Sequence, residues 1–178
     1  MSSENQNVQI EVSEKPQKNM IHEDPEIYTI DNFLTEEECR HFIDISKDKF
    51  KRSIVADDKG GKGKISDGRT SNNTWIKHDH DSITFAIGSK IANIVNIPLE
   101  NAESFQVVHY DEKQEYRQHY DGWLFDGSEK SRRNMKYGGQ RIKTALVYLN
   151  DVNAGGGTKF TKLNLKVNAE KGKLLVFE

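Results

Sequence analysis

The chain has 178 residues, 30% of them charged and 34% hydrophobic, and a formal net charge of -2 at pH 7. That length is enough to bury a continuous core, and the near-balance of charge gives no footprint for nucleic acid or an anionic membrane surface. The single cysteine, Cys39, excludes an internal disulfide framework; with no apolar leader and no run of membrane-spanning length, the expectation is a cytoplasmic protein.

Residues 1–20 are polar and aperiodic and read as a disordered tail, which leaves one domain over 21–178. Ile27-Tyr28-Thr29-Ile30 favours a strand. Thr35 and Glu38 then form a capping box, and Cys39, Phe42, Ile43, Ile45 and Phe50 outline an amphipathic helix from 35 to about 51. Residues 57–68, rich in glycine and lysine, read as a mobile loop. A second helix is expected from His80 or Asp81 to just before Pro98, with Ile83, Ile87, Ile91, Ile94 and Val95 on one face.

Beyond Pro98 the texture becomes strand-like. Strands are expected over 104–110, 116–121, 158–161, 165–167 and 174–177, with Arg141 to Leu149 as a buried central strand and 123–139 as a long polar loop. Helical support over 21–98, followed by a β core of six or seven strands over 99–178, describes an α+β protein built on a sandwich or barrel.

Chemistry concentrates at His119-Tyr120-Asp121. On an extended segment the two outer side chains share a side, and an imidazole beside a carboxylate is two thirds of the 2-His-1-carboxylate set that binds non-haem Fe(II). The remaining histidines, His22, His41, His78, His80 and His109, all precede the pair, and alternation turns His109 away if Tyr110 faces the cavity. His78-Asp79-His80-Asp81 resembles a metal cluster but reads better as a helix start with Asp81 at the positive end. Gly60-Gly61-Lys62-Gly63-Lys64 fails the phosphate-loop pattern because Ile65 follows Lys64. Cys39, on an apolar helix face, reads as packed rather than reactive.

From Phe105 to Phe177 the chain resembles the prolyl 4-hydroxylase-like 2-oxoglutarate/Fe(II) dioxygenases. The matching text is F-Q-V-V-H-Y (105–110), Y-R-Q-H-Y-D (116–121), G-G-Q-R-I-K-T-A-L-V-Y-L-N-D-V (138–152), G-G-G-T-K-F (155–160) and K-G-K-L-L-V-F (171–177), with G-R-T-S (68–71) upstream. The resemblance implies a double-stranded β-helix, a jelly-roll or cupin-like fold. It also implies Fe(II), 2-oxoglutarate, O2 and ascorbate as cofactors, and hydroxylation of a peptidyl residue, most naturally proline, coupled to decarboxylation of 2-oxoglutarate to succinate.

In that frame His119 and Asp121 are metal ligands, Tyr110 and Thr158 hold the 2-oxoglutarate, and Tyr116 and Arg141 lie on the substrate side. Arg69 and Ser71 match a loop over the peptide. The implied partner is a peptide or protein substrate, with no nucleic acid and no membrane. A planar guanidinium and phenolic hydroxyls suit carboxylate and carbonyl oxygens.

Two departures stand out. Gly157 occupies a position that is acidic in similar proteins, which is expected to loosen the turn. The second histidine ligand and the lysine or arginine that pairs with 2-oxoglutarate are not present after Phe177, so the domain is expected to be incomplete at its C-terminus. Two alternatives follow: a non-catalytic β-helix binding module, or a histidine supplied by a partner chain.

Overall fold

The structure, a computed structural model, describes residues 16–55, 63–123, 125–136 and 138–178; most of the expected tail (1–15) and part of the expected glycine-lysine loop (56–62) lie outside the described residues. Its elements are β1 (Asn19–His22), β2 (Ile27–Ile30), α1 (Glu36–Ser46), β3 (Lys51–Arg52), β4 (Asn72–Ile76), α2 (Ser82–Val95), β5 (Phe105–His109), α3 (Glu129–Asn134), β6 (Thr144–Val147), β7 (Thr158–Phe160), β8 (Leu165–Val167) and β9 (Leu174–Phe177). All strand pairs are antiparallel, arranged as β1-β2-β9-β6, β3-β4-β5 and the hairpin β7-β8. The protein is thus α+β with antiparallel sheets.

The largest sheet is organised by β9, whose Leu174, Leu175 and Val176 are completely buried. Successive strand residues point to opposite faces, so an uninterrupted apolar run implies cover on both sides. Leu174 and Val176 join Tyr28, Ile30, Phe42 and Ile87 in a cluster under the helices. Leu175 and Phe177 turn the other way, toward Ile27, Leu146, Tyr148, Phe160 and Val167. The helices back one face of the sheet and the β7-β8 hairpin covers the other.

This arrangement revises one expectation. The buried centre of the sheet is β9, not Arg141 to Leu149. From that run only Thr144–Val147 forms a strand, and it lies at the sheet edge, pairing with β9 alone among the described residues. Its β-branched and apolar composition carried the right element but not the right neighbour count.

The helices start where the caps dictate. Thr35 Oγ1 accepts from the Glu38 N–H at 3.2 Å while Glu38 Oε2 accepts from the Thr35 N–H at 2.8 Å. Helix α1 stops at Ser46 rather than near 51, because Lys51 and Arg52 pair with Asn73 and Asn72 instead. It buries Cys39 and Phe42 but leaves Ile43 exposed. Cys39 is packed, and burial pushes its thiol pKa up. Asp81 caps α2 by accepting from the Thr84 N–H at 2.8 Å, and Asn96 ends it in the left-handed region. Ile87 is buried, whereas Ile83 lies outside the apolar face.

Other differences follow from pairing that local sequence does not announce. β1 begins inside the stretch read as tail, and β4 rises from the unpromising Asn72-Asn73-Thr74 because β5 supplies a partner along its full length. The expected loop over 123–139 contains α3, capped by Ser128 accepting from the Ser131 N–H at 3.1 Å. Residues 116–121 are not a strand; only Tyr116 makes a bridge, to Arg69.

Two glycines are fixed by close approach. Gly172 has φ +77 and a Cβ there would lie 2.4 Å from the Leu34 carbonyl oxygen, in the turn that delivers β9 into the sheet. At Gly157 a Cβ would lie 2.4 Å from the Val167 carbonyl oxygen, so glycine lets β7 close against β8 rather than loosening the turn. Truncating Leu174 to Ala leaves a void under the helices and is expected to cost about 2–5 kcal/mol. A urea-unfolding midpoint unchanged from the parent chain would contradict that placement of the core.

Candidate active site

The site is assembled where β5 ends and the irregular segment 110–121 begins. His109, the last residue of β5, packs its ring against Phe50 with centroids 5.5 Å apart, while Tyr110 lies beside Ser71 on the opposite side. Backbone alternation therefore turns His109 out and Tyr110 toward the His119 region, as expected. Segment 66–71 is docked along 115–117: the Arg117 N–H donates to the Gly68 carbonyl at 2.8 Å and the Thr70 N–H donates to the Glu115 carbonyl at 2.9 Å.

That docked segment sets the geometry of the His-x-Asp pair. His119 Nδ1 lies 2.7 Å from the Arg117 carbonyl oxygen, which can only accept, so Nδ1 carries a proton and Nε2 is the free ring nitrogen. Nε2 lies 3.0 Å from Asp121 Oδ1. The other carboxylate oxygen, Oδ2, accepts from the Thr144 hydroxyl at 2.7 Å. Each side chain is thus held through its far atom while the near atoms converge. Two donor atoms bound side by side about 2.1 Å from one divalent cation lie about 3 Å apart, so the spacing fits a shared metal. A carbonyl or hydroxyl partner on the far atom is the usual second contact of a metal-binding imidazole or carboxylate.

The surroundings are aromatic and cationic. Tyr116 stacks on the His119 ring at 3.5 Å between centroids and 16° between planes, and the buried Arg69 guanidinium lies 4.7 Å from the Tyr116 ring centre. Arg69 also donates to Gln106 Oε1 at 3.0 Å, but its buried Nε has no hydrogen-bond partner. Arg141 forms a bidentate pair with Glu103, at 2.5 and 2.7 Å, and its guanidinium lies 4.0 Å from the Trp123 ring centre. Arg141 Nη1 also reaches the Asp121 carbonyl at 3.5 Å, which ties the Arg141 cluster to the metal-fitting pair.

Thr158 stands apart from this group. Its hydroxyl is 2.8 Å from the Tyr148 hydroxyl. Tyr148 lies four residues beyond Thr144 along an extended run, on the same face and about 13 Å away. The groove therefore has the His119–Asp121 pair at one end of that face and the Tyr148–Thr158 pair at the other.

The structure brings together His119, Asp121, Tyr116, Tyr110, Arg69 and Arg141, and joins Thr158 to them only through this strand. Sequence reasoning missed Glu103, Trp123, Gln140, Thr144 and Tyr148. Gln140 pairs with both backbone groups of Trp123, at 2.7 Å each, across a 17-residue separation that no local pattern encodes. Tyr148 did carry a signal, since a tyrosine inside an apolar strand needs a partner for its hydroxyl when buried. His78, Asp79 and His80 form a turn that leads into α2, which Asp81 caps while lying 2.8 Å from His41 Nε2. Among the described residues no group of three or more His, Cys, Asp or Glu is placed to hold a metal, so the pair supplies two donors.

Electrostatics tune these groups. Burial opposes charging of His119, but hydrogen bonds to Asp121 and to the Arg117 carbonyl outweigh it and hold its pKa above the ordinary value. The His119 hydrogen bond holds Asp121 below the usual carboxylate range against the opposing effect of burial, with Thr144 assisting. Burial raises Tyr110, Tyr116 and Tyr148, keeping them as neutral donors; Arg69 partly offsets this at the first two.

No protein-family model matches the sequence. Prolyl 4-hydroxylase 5 of Arabidopsis thaliana is 40% identical over 146 residues, covering 82% of this chain and 48% of that protein. Probable prolyl 4-hydroxylase 8 of the same plant is 42% identical over 137 residues, covering 77% of this chain and 45% of its own. Among solved structures, the viral collagen prolyl hydroxylase of Paramecium bursaria Chlorella virus-1, in its 2OG complex, superposes with a TM-score of 0.61 at 28% identity, covering 85% of this chain and 76% of that one. The chain spans about half the length of the curated relatives it matches.

The raised His119 pKa has a measurable consequence in the metal-free chain. Its folded value lies above that of a free histidine, about 6.5. The stabilisation from the His119–Asp121 pair is then fully present below the unfolded histidine value and is lost as pH rises through the folded one. On the acid side it is lost as pH falls through the depressed Asp121 value. Proton NMR titration is expected to show His119 above a free histidine and to show Asp121→Asn lowering it; an unshifted His119 would contradict the pairing.

Proposed function

The chain is a homologue of the prolyl 4-hydroxylases over most of its length, and from that premise we propose that it is a 2-oxoglutarate/Fe(II)-dependent dioxygenase hydroxylating proline in a peptide or protein. The observation that carries this reading is the His119–Asp121 pair, converging at 3.0 Å with each far atom anchored. The two-faced sheet, backed by helices and covered by the β7-β8 hairpin, supports a double-stranded β-helix as its frame.

His119 Nε2 and Asp121 Oδ1 would hold Fe(II). Tyr110 at one end of the groove and Thr158 at the other supply hydroxyls suited to the oxygens of 2-oxoglutarate. When bound, iron and co-substrate supply the oxidising chemistry, in which 2-oxoglutarate is decarboxylated to succinate, O2 is the oxidant and ascorbate keeps the metal reduced. The rest falls to the chain. Thr144 and the Arg117 carbonyl fix the ligand orientations before any metal arrives, which lowers the cost of assembling the site. Tyr116, stacked on His119, shields the imidazole from water. Arg141, whose Nε and Nη2 are taken by Glu103, keeps Nη1 beside Asp121, where it is suited to donate to a peptide carbonyl.

A second reading rests on the donor count. With two donors among the described residues, these 178 residues by themselves are expected to hold Fe(II) weakly and to form no succinate coupled to product, as a binding module would.

The test uses the full chain that carries this sequence, supplied with Fe(II), 2-oxoglutarate, ascorbate and a proline-rich peptide. Mass spectrometry is expected to find one added oxygen on proline, with matching succinate. His119→Ala and Asp121→Ala are each expected to lower turnover at least about 100-fold while circular dichroism stays unchanged, since neither side chain is core packing. Near-normal turnover in either variant would sink the ligand assignment, and peptide binding without hydroxylation would favour the binding module.

A further inference from the structure

Arg52 lies outside every motif singled out above, on the two-residue strand β3. Its guanidinium nonetheless gathers the backbone of the segment that carries Arg69 and Ser71. Nη1 donates to the Arg69 carbonyl at 2.6 Å and to the Ser71 carbonyl at 3.0 Å, and Nη2 donates to the Ser66 carbonyl at 3.4 Å. Three carbonyls from one short segment thus converge on one planar cation. Among the described residues no carboxylate pairs with Arg52, so the carbonyl dipoles are what stabilise its charge there.

The next residue extends the brace. The Ser53 N–H donates to the same Ser71 carbonyl at 3.0 Å, and the Ser53 and Ser71 hydroxyls, both completely buried, are 3.0 Å apart. Carbonyls turned inward toward Arg52 leave the segment's outer edge to meet 115–117. There the Gly68 carbonyl accepts from the Arg117 N–H, and the Arg117 carbonyl in turn anchors His119 Nδ1. Arg69, whose carbonyl Arg52 grips, stacks its own side chain on Tyr116, which stacks on His119. Ser71, gripped likewise, lies beside Tyr110.

We propose that Arg52 is a positioning residue: by clamping the Ser66, Arg69 and Ser71 carbonyls it fixes the segment that docks 115–117 and packs Arg69 on Tyr116 beside His119. Without the clamp the Arg69 carbonyl loses its partner and the Ser66 and Ser71 carbonyls each keep only a backbone N–H, and the segment can swing away from 115–117. The loss falls on Tyr116 and His119, which 115–117 positions, while Thr144 still holds Asp121 and Thr158 lies elsewhere. A guanidinium is suited to this task, since its coplanar donors meet several oxygens at once where an ammonium is a point charge. The proposal rests on the prolyl-hydroxylase reading only for its kinetic consequence; the clamp itself is testable without activity.

Two measurements decide it, each on Arg52→Ala with Arg40→Ala as a control, Arg40 being an exposed surface residue that among the described residues pairs only with Glu36. In metal-free protein, hydrogen exchange at the Arg69, Thr70 and Arg117 amides is expected to quicken at least about tenfold in Arg52→Ala, with β9 protection unchanged. Unchanged exchange at those amides, or equal loss of protection at β9, would overturn the clamp. In the active full chain, kcat/KM for peptide is expected to fall at least about tenfold in Arg52→Ala, with Arg40→Ala within about twofold of the parent. A kcat/KM for peptide within about twofold of the parent would overturn the positioning role. Should the parent chain hydroxylate no proline peptide, the functional reading fails, and the exchange measurement still decides whether Arg52 clamps the segment.

Discussion

The 2.7 Å contact between His119 Nδ1 and the Arg117 carbonyl is the constraint on which the site depends. It selects the tautomer, aims Nε2 at Asp121, and is a backbone contact that no side-chain substitution removes directly. The Arg117 carbonyl is itself held in place because the neighbouring N–H donates to Gly68 in the docked segment 66–71. Imidazole orientation is thereby tied to a segment nearly fifty residues upstream. A carboxylate alone beside an imidazole would swing freely; Thr144 stops that by occupying the second oxygen of Asp121.

The scaffold serves this geometry through β9. Because Leu174 and Val176 face the helices while Leu175 and Phe177 face the hairpin, one strand couples the two apolar clusters. Thr144 is the direct cross-strand neighbour of Phe177. The hydroxyl that orients Asp121 thus stands on the strand registered against the most buried element of the fold. Tyr148, just beyond that strand, accepts the Gly172 N–H through its carbonyl at 2.8 Å and meets Thr158 through its hydroxyl. Both ends of the groove therefore inherit their positions from the same sheet edge.

What the sequence disclosed tracks the range of the interactions involved. The capping box at Thr35, the helix start at Asp81, the β2, β5, β7, β8 and β9 strands, and the packing of Cys39 depend on residues a few positions apart, and they were legible. The convergence of His119 with Asp121 was also legible, though the expected strand under it was not there: two anchoring contacts produce the same result without a ladder. Strand β4, the edge position of β6 and the Gly157 close approach depend on partners tens of residues away. So do the Glu103–Arg141 and Gln140–Trp123 pairs, where single polar residues in loops give no periodic signal. The motif order from Phe105 to Phe177 compensated for part of this, because it carries long-range geometry that composition cannot.

The central claim is that His119 and Asp121 form a metal-binding pair, and paramagnetic broadening tests it most directly. Substoichiometric Mn(II), titrated into isotopically labelled protein, quenches NMR signals according to their distance from the bound ion. The account predicts that broadening centres on His119, Asp121 and Thr144, spreads to Tyr110 and Tyr116, and disappears in His119→Ala. Broadening centred on the His78–Asp81 helix start, or unchanged by that substitution, would contradict it.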